Sequence, residues 1–373
     1  MTNCLSPDPE KRLKNMACFA KIHGDVCTKH NFIRVVPMKA ALLSILLAGL
    51  VVLSCNKPEP VVEAKDFAMG TVITQKIYGA NSKAAAAEAI SKIRELEKIL
   101  SFYLADSDIS LLNNSAGRGK VRLHPETFFL LTKSSEYAHL SGGEFNIMVG
   151  PLVKRWKVTA ESPDVPSPAE IKSLLTLIDY RDLHLYKDDC SARLARKGQM
   201  VDLGGIAKGY AGDEVIKIYG KHGIKSAIVD IGGNICVLGL NTDGTPWNVG
   251  IQDPRRKRGI YIGSVSLSDK AVSTSGAYER FFPAGGKKYH HIIDPRTGYP
   301  SESDLLSVTI IADSSLDTDA LSTTIFILGL DKGIKLIKKI KGTEAVLIKN
   351  DGAIYATEGL QKNFNCSAEV IYR

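Results

Sequence analysis

The chain predicts an α+β fold, a single domain of mixed sheets flanked by helices, on three observations. Strand-length apolar runs and amphipathic helical runs are mixed without the regular alternation of a doubly wound sheet. No segment repeats at a fixed period. The composition, 44% hydrophobic and 24% charged over 373 residues, belongs to a globular chain with ample core.

Residues 1–37 show no hydrophobic period. From Met38 the chain passes Lys39 into an apolar stretch, Ala40 to Leu53 broken only by Ser44, and reaches Ser54 and Cys55. The stretch is too short to span a bilayer core of about 30 Å; its positive flank, apolar run and small residue form an export signal. Its ending, Val52-Leu53-Ser54-Cys55, resembles the lipobox of bacterial lipoproteins, in which the cysteine becomes the lipidated first residue. An ordinary signal peptide or a buried helix has the same outline. On the lipobox reading, 38–54 is a lipoprotein signal peptide and Cys55 carries the lipid. Residues 1–37 are then an over-extended N-terminus, with translation starting at Met38. Residues 55–64, with Pro58 and Pro60, form a tether, and 65–373 the folded domain. The expected location is the membrane of a bacterium, facing the periplasm.

Losing residues 1–54, with seven Lys or Arg and three Asp or Glu, lowers the net charge from +8 to +4. No basic stripe with interleaved aromatics exists, so nucleic acid is not an expected partner; Arg255-Arg256-Lys257-Arg258 reads as a solvated loop. Cys190, Cys236 and Cys366 are widely spaced and odd in number, which excludes a disulfide framework or zinc pattern.

Taken in order, Phe67 to Tyr78 alternates as a strand opening on Met69-Gly70-Thr71. Ser82 to Leu100 places Ile90, Ile93, Leu96 and Leu100 on one helical face. Ser101 to Asn113 is polar and loop-like, and Tyr103 there suits stacking on a flat ligand or half-buried packing. A helix covers Pro125 to Leu140 and stops at Ser141-Gly142-Gly143. Glu144-Phe145-Asn146 and Val149 to Leu152 follow, then a capping box at Ser167-Pro168-Ala169-Glu170. Strands are expected at Ser226 to Ile231, Trp247 to Ile251, Tyr261 to Leu267 and Leu306 to Ile311.

The chain is organised around Asp202 to Gly209, DLGGIAKG. Adjacent glycines permit a tight turn and close approach to a ligand, and a helix starting there aims unpaired N–H groups at an anion, with Lys208 adding charge. The spacing is neither a Walker loop nor a dinucleotide fingerprint, and a plain strand-to-helix turn has the same shape. Val272 to Glu279 (VSTSGAYE) offers three hydroxyls and a glycine in a turn able to bind phosphate, or a polar hairpin loop. His290 to Gly298 (HHIIDPRTG) sets an imidazole three residues before a carboxylate. Asp317 to Thr323 opens a helix on which Asp319 and Thr323 share a face as hard oxygen ligands of the kind Mg²⁺ prefers, though ordinary capping is also rich in Asp and Thr.

Met69-Gly70-Thr71, SFYLADSDISLLN, SGGEFN with GPLV, DLGGIAKGYA, DIGGN, VSTSGAYE, HIIDPRTGYP and DTDALSTTIFILG, in that order and spacing from Met69 to Gly329, resemble the FAD:protein FMN transferases, or ApbE-like flavin transferases. The resemblance implies an ApbE-like domain with FAD in a cleft between sub-lobes. It implies that Met69, Tyr103, Glu144, Phe145, Asn146, Asp202, Lys208 and Ile293 hold FAD, and that Gly205 (through its carbonyl), Asp319 and Thr323 hold Mg²⁺. It further implies transfer of FMN from FAD to a threonine hydroxyl of an acceptor flavoprotein with release of AMP, the acceptors including subunits of membrane redox-driven ion pumps. From residue type and motif position, His291 is the candidate base or phosphate-positioning group, with Asp294 orienting it. Asn146 stands where many relatives carry aspartate, and Ser322 where some carry a third metal-side aspartate. A Mg²⁺-dependent FAD pyrophosphatase, a non-catalytic FAD-binding lipoprotein and a solute-binding lipoprotein are the competing readings; the last predicts a two-lobed α/β alternation that the chain lacks.

Overall fold

The computed structural model describes residues 60–373. Residues 1–37, the 38–54 signal segment and Cys55 lie outside the described residues. The described chain opens on a hairpin, β1 (Val61–Ala68) against β2 (Thr71–Tyr78), closed by Met69 and Gly70 at φ 52° and 67°. Two positive φ values in a two-residue turn match the right-handed twist of the strands, so the single strand expected from Phe67 to Tyr78 is two. The domain boundary expected at Lys65 also moves. β1 is paired with β2 from Val61 onward, so the last four residues assigned to the tether belong to the sheet.

Helix α1 (Ser82–Leu100) follows its predicted period. The stretch expected as a loop then contains a second helix, α2 (Asp108–Asn114), because the Ser107 hydroxyl caps the Ser110 amide at 3.0 Å and Ile109 and Leu112 are fully buried. After β3 (Val121–Arg122) come α3 (Pro125–Leu140), α4 (Gly150–Trp156) and α5 (Pro168–Leu175), the last with both halves of its capping box formed. β4 (Leu183–Tyr186) and β5 (Ser191–Leu194) complete a small sheet with β3.

Next are α6 (Ala207–Lys221), β6 (Ser226–Ile231), β7 (Asn234–Leu238), β8 (Trp247–Gln252), β9 (Tyr261–Leu267) and β10 (Lys270–Gly276). The VSTSG segment, expected as a turn, is thus the last five residues of β10, paired with β13 along its length and with β7 at Val272 and Ser273, and its hydroxyls bond within the fold. The hairpin β11 (Phe281–Ala284) and β12 (Lys287–His290) precedes β13 (Leu305–Ala312), α7 (Ser315–Leu328), α8 (Leu330–Ile337), β14 (Glu344–Lys349), β15 (Ile354–Ala356), β16 (Phe364–Cys366) and β17 (Val370–Tyr372).

Nine strands form the main sheet in the order β1-β2-β6-β7-β10-β13-β14-β15-β17, antiparallel except for the last pair. One core joins α1 and α6 to β2 and β6, and another joins α7 and α8 to β13 and β14. A third lies between the main sheet and the β16-β9-β8 sheet. β13 is therefore buried on both faces and reads as a continuous apolar run, whereas β2 buries only Ile73, Gln75 and Ile77. Among the described residues no helix is long and apolar enough to cross a membrane.

Candidate active site

The DLGG turn is pinned from outside itself. Asn113 on α2 donates to the Val201 carbonyl at 3.0 Å and accepts from the Val201 amide at 2.7 Å, while the Asp202 amide donates to the Ile147 carbonyl at 2.8 Å. The Asp202 carboxylate accepts the Gly204 amide at 2.7 Å, and burial pushes its carboxyl above the ordinary range. The N-cap residue, Ile206, makes no side-chain cap bond, and the turn leads into α6 at the cavity wall.

Helices α6 and α7 cross at Gly209. A Cβ there would lie 2.2 Å from the Ser315 carbonyl oxygen and 2.7 Å from Asp319 Cβ, so only glycine permits the approach. The crossing lets Asp319 Oδ2 accept the Gly209 amide at 2.9 Å, with Lys208 Nζ 3.6 Å away; Lys208 also donates to the Gly204 carbonyl at 3.0 Å. Asp213, one turn along α6, fixes the other end of the crossing. Its carboxylate accepts the Ser315 amide at 2.6 Å, the Leu316 amide at 3.1 Å and the Ser314 hydroxyl at 2.8 Å. Thr323, one turn beyond Asp319, brings Oγ1 to 3.5 Å from where a Gly205 Cβ would stand.

Gly205, Asp319 and Thr323 therefore meet at one point. Their carbonyl, carboxylate and hydroxyl are hard oxygen donors, and Asp319 is a buried carboxylate, 6% exposed, whose nearest positive charge is a lysine beyond hydrogen-bond reach. That donor set fits a divalent cation that keeps part of its water shell and meets substrate phosphates. Among the described residues no three His, Cys, Asp or Glu side chains gather, as expected where only one ligand is a carboxylate. Ser322 Oγ donates to the Asp319 carbonyl and bonds Ser275 Oγ, both at 2.9 Å, so it braces α7 against β10.

The same cavity, of about 1600 Å³, takes in Met69, Tyr103, the Glu144-Phe145-Asn146 segment, Asp202, Lys208, His291 and Ile293. Met69 is held by its amide on Glu97 Oε1 at 2.7 Å. Tyr103 is 80% exposed, a free ring at the rim. Glu144 bonds Arg296 through Oε1 at 2.8 Å, while its buried Oε2 has no partner, and burial raises its carboxyl pKa. Phe145 packs edge-on to Tyr137, and Asn146 Oδ1 accepts the Met148 amide at 2.9 Å, a bond aspartate would make equally well.

Asp294 does not orient His291. It lies outside this cavity, and its carboxylate takes the Arg296 amide at 2.8 Å and the Arg296 guanidinium at 2.8 and 3.1 Å. The reason is local: an aspartate two residues before an arginine in a tight loop bonds its own turn before it can reach back three residues. His291 instead hangs from Arg280, whose carbonyl accepts the His291 amide at 3.1 Å and lies 3.3 Å from Nδ1. Its imidazole lines the cavity and is exposed to solvent there. Desolvation by the surrounding wall, then the Arg280 charge, lower its pKa to about 4, so it is neutral at pH 7 with a free lone pair. His290 is structural, bonded to the Ser301 carbonyl at 3.0 Å and edge-on to Phe326.

Sequence reading missed Glu97, Asn113, Asp213, Arg280 and the partnership of Arg296 with Glu144. Each acts on a residue distant in the chain, and none sits in a recognisable local pattern. Gly209 and Gly212, four and seven residues past Gly205, were the one available signal, since small residues three apart on a helix mark a close helix crossing; a Cβ at Gly212 would lie 2.7 Å from Cys236 Sγ.

Residues 69–347 match the profile of the ApbE family. The chain is 37% identical over 312 residues to an FAD:protein FMN transferase of Treponema pallidum, covering 79% of this chain and 86% of that one. It is 33% identical to an FAD:protein FMN transferase of Klebsiella pneumoniae, covering 80% and 92%. The crystal structure of the ApbE protein of Thermotoga maritima superposes with a TM-score of 0.75 at 31% identity, covering 80% of this chain and 98% of that one.

Proposed function

The chain belongs to the ApbE family and is an FAD:protein FMN transferase, and we propose that it moves FMN from FAD to a threonine hydroxyl of an acceptor protein, with Mg²⁺, releasing AMP. The observation that carries the finer reading is that Gly205, Asp319, Thr323 and Lys208, at the start of α6 and the facing turn of α7, line one cavity with His291.

In this reading the threonine oxygen attacks the flavin-side phosphorus, and the bond to the bridging oxygen breaks. AMP leaves with that oxygen, and the hydroxyl proton passes to neutral His291. Gly205, Asp319 and Thr323 would hold Mg²⁺, which supplies charge stabilisation on the pyrophosphate oxygens. Lys208 would face the charge that grows on the leaving phosphate. Tyr103 and Met69 at the rim and Glu144 to Asn146 at the wall would grip the rest of FAD; the unpartnered Glu144 Oε2 is a buried acceptor waiting for a ligand donor. We place the domain outside the cytoplasmic membrane, tethered through lipid on Cys55, on the strength of the Met38–Cys55 pattern.

The test incubates the protein with FAD, Mg²⁺ and an acceptor domain bearing a target threonine, and weighs the acceptor by mass spectrometry beside an Asp319→Ala control. A covalent FMN adduct that vanishes in the control is the expected result. Release of AMP and FMN with no adduct would instead make the enzyme a pyrophosphatase.

A further inference from the structure

The outer face of β1, β2 and β6 runs into the catalytic cavity; toward Tyr78 and Ile228 it packs against the β16-β9-β8 sheet, and toward Phe67 and Val72 it is open among the described residues. Strand register stacks its side chains in rows: Phe67 opposite Val72; Lys65 opposite Thr74 and then Asp230; Glu63 opposite Lys76 and then Ile228. The inward residues of the same strands, Ile73, Ile77 and Val229, are fully buried under α1 and α6, so the outward set is a genuine second face. Phe67 and Val72 are 64% and 56% exposed, a cross-strand apolar pair at the end of the hairpin that carries Met69. The Lys65 and Glu63 rows line the cavity itself.

The charges of this face are unequally satisfied. Glu63 pairs with Lys76 at 3.0 Å, whereas Lys65 has no carboxylate partner among the described residues. β1 is also the edge of the main sheet, with one side of its backbone unpaired.

We propose that this face docks the acceptor protein: a segment flanking its target hydroxyl lies across β1, β2 and β6, sets an apolar side chain on Phe67 and Val72 and an acidic one at Lys65, and so delivers the hydroxyl into the cavity. The proposal rests on the transferase reading. A macromolecular substrate must insert a side chain through the cavity mouth, and this is a surface continuous with that mouth that combines an apolar anchor, a polar rim and an unpaired charge. An anionic membrane fits less well, because it would meet one unpaired lysine beside Glu63 and Asp230 rather than a basic cluster.

The experiment measures initial rates of FMN transfer by the full chain in detergent against concentration of a recombinant ion-pump subunit domain carrying its target threonine. Wild type is compared with Phe67→Ser, Val72→Ser and Lys65→Glu, with FAD affinity measured in parallel. The expected result is a KM for the acceptor raised about tenfold in the Phe67 and Val72 variants, which stand outside the cavity, with kcat and FAD affinity within about twofold of wild type, and a raised acceptor KM for Lys65→Glu. Restoration of the Lys65→Glu rate by an acceptor whose acidic flanking residue is changed to lysine supports the assigned register. Wild-type labelling with unchanged KM in all variants overturns the docking surface while leaving the transferase intact. No labelling by wild type overturns the transferase reading and the docking surface with it. Unchanged KM with lost binding to vesicles of phosphatidylcholine and phosphatidylglycerol reassigns the face to the membrane.

Discussion

Replacing Gly209 by alanine should damage this enzyme far more than one methyl group suggests. The added Cβ would lie 2.2 Å from the Ser315 carbonyl oxygen and 2.7 Å from Asp319 Cβ, where ordinary contact begins near 3.4 Å. The first of these atoms is backbone and cannot rotate away, so α6 and α7 must separate by about 1 Å in a core that packs like a crystal. Overpacking of this kind costs about 1–3 kcal/mol, which for a domain of this size lowers Tm by roughly 2–10 °C. The displaced element carries Asp319 and Thr323, and a shift of about 1 Å at a reacting centre can cost about 100-fold in rate. The control is in the same helix: at Gly220 an added Cβ meets nothing within 4 Å, so Gly220→Ala should be neutral or up to about 1 kcal/mol stabilising. Thermal melts, Mg²⁺ titrations and transfer rates of the two variants form the assay. If Gly209→Ala melts and turns over like Gly220→Ala, the helix crossing does not position the metal ligands and the argument fails.

Three further outcomes follow from the same geometry. Asp213→Asn replaces a charged acceptor of two α7 amides with a neutral one, so it should cost about 1–2 kcal/mol in denaturant melts and weaken Mg²⁺ activation, with faster hydrogen exchange at Ser315 and Leu316. His291→Ala should lower transfer about 10²–10⁴-fold while FAD affinity holds. Because the His291 pKa falls from 6.5 to about 4, the acid limb of the wild-type rate profile due to this group should lie near pH 4 rather than 6.5. The unfolded chain takes up that proton first, so His291 destabilises the fold progressively as pH drops from 6.5 towards 4 and has no such effect above 6.5; melts of His291→Gln should lack that component. Asp294→Asn should weaken the hold on the Arg296 guanidinium, which Glu144 still pairs, and lower stability without moving the pH profile, and a shift of the profile would return Asp294 to the side of His291.

What could be read in the chain was whatever physics acts over a few residues. The period of α1, the capping box of α5, the glycine stop after α3 and the positions of DLGGIAKG, HIIDPRTG and DTDALST are all encoded within one or two turns of chain, and the spacing of those motifs identified the family. The polar stretch holding α2 defeated composition, because one serine cap and two buried side chains outweighed its loop-like residues. VSTSG was misplaced for the related reason that hydroxyls look solvent-seeking until a sheet supplies partners, as Asn234, Thr318, Thr309 and Ser322 do for β10.

The tertiary structure decided the rest. Met69 and Thr323 are brought to one cavity only when the β1–β2 hairpin, the α6 crossing and the His291 loop have all packed. The partner of Asp294 was decided by competition: its own turn offered Arg296 before the fold could offer His291. The crossing of α6 and α7 depends on Gly209 and Asp213, one turn apart on α6, meeting Ser315 about a hundred residues further along the chain, with no mutual local pattern. Sequence determined which residue types and motifs are on offer for the chemistry, since residue types and local spacing set their intrinsic reactivity. Packing determined which of them meet, at what distance and with which charge, since burial and contact exist only once distant segments share one core.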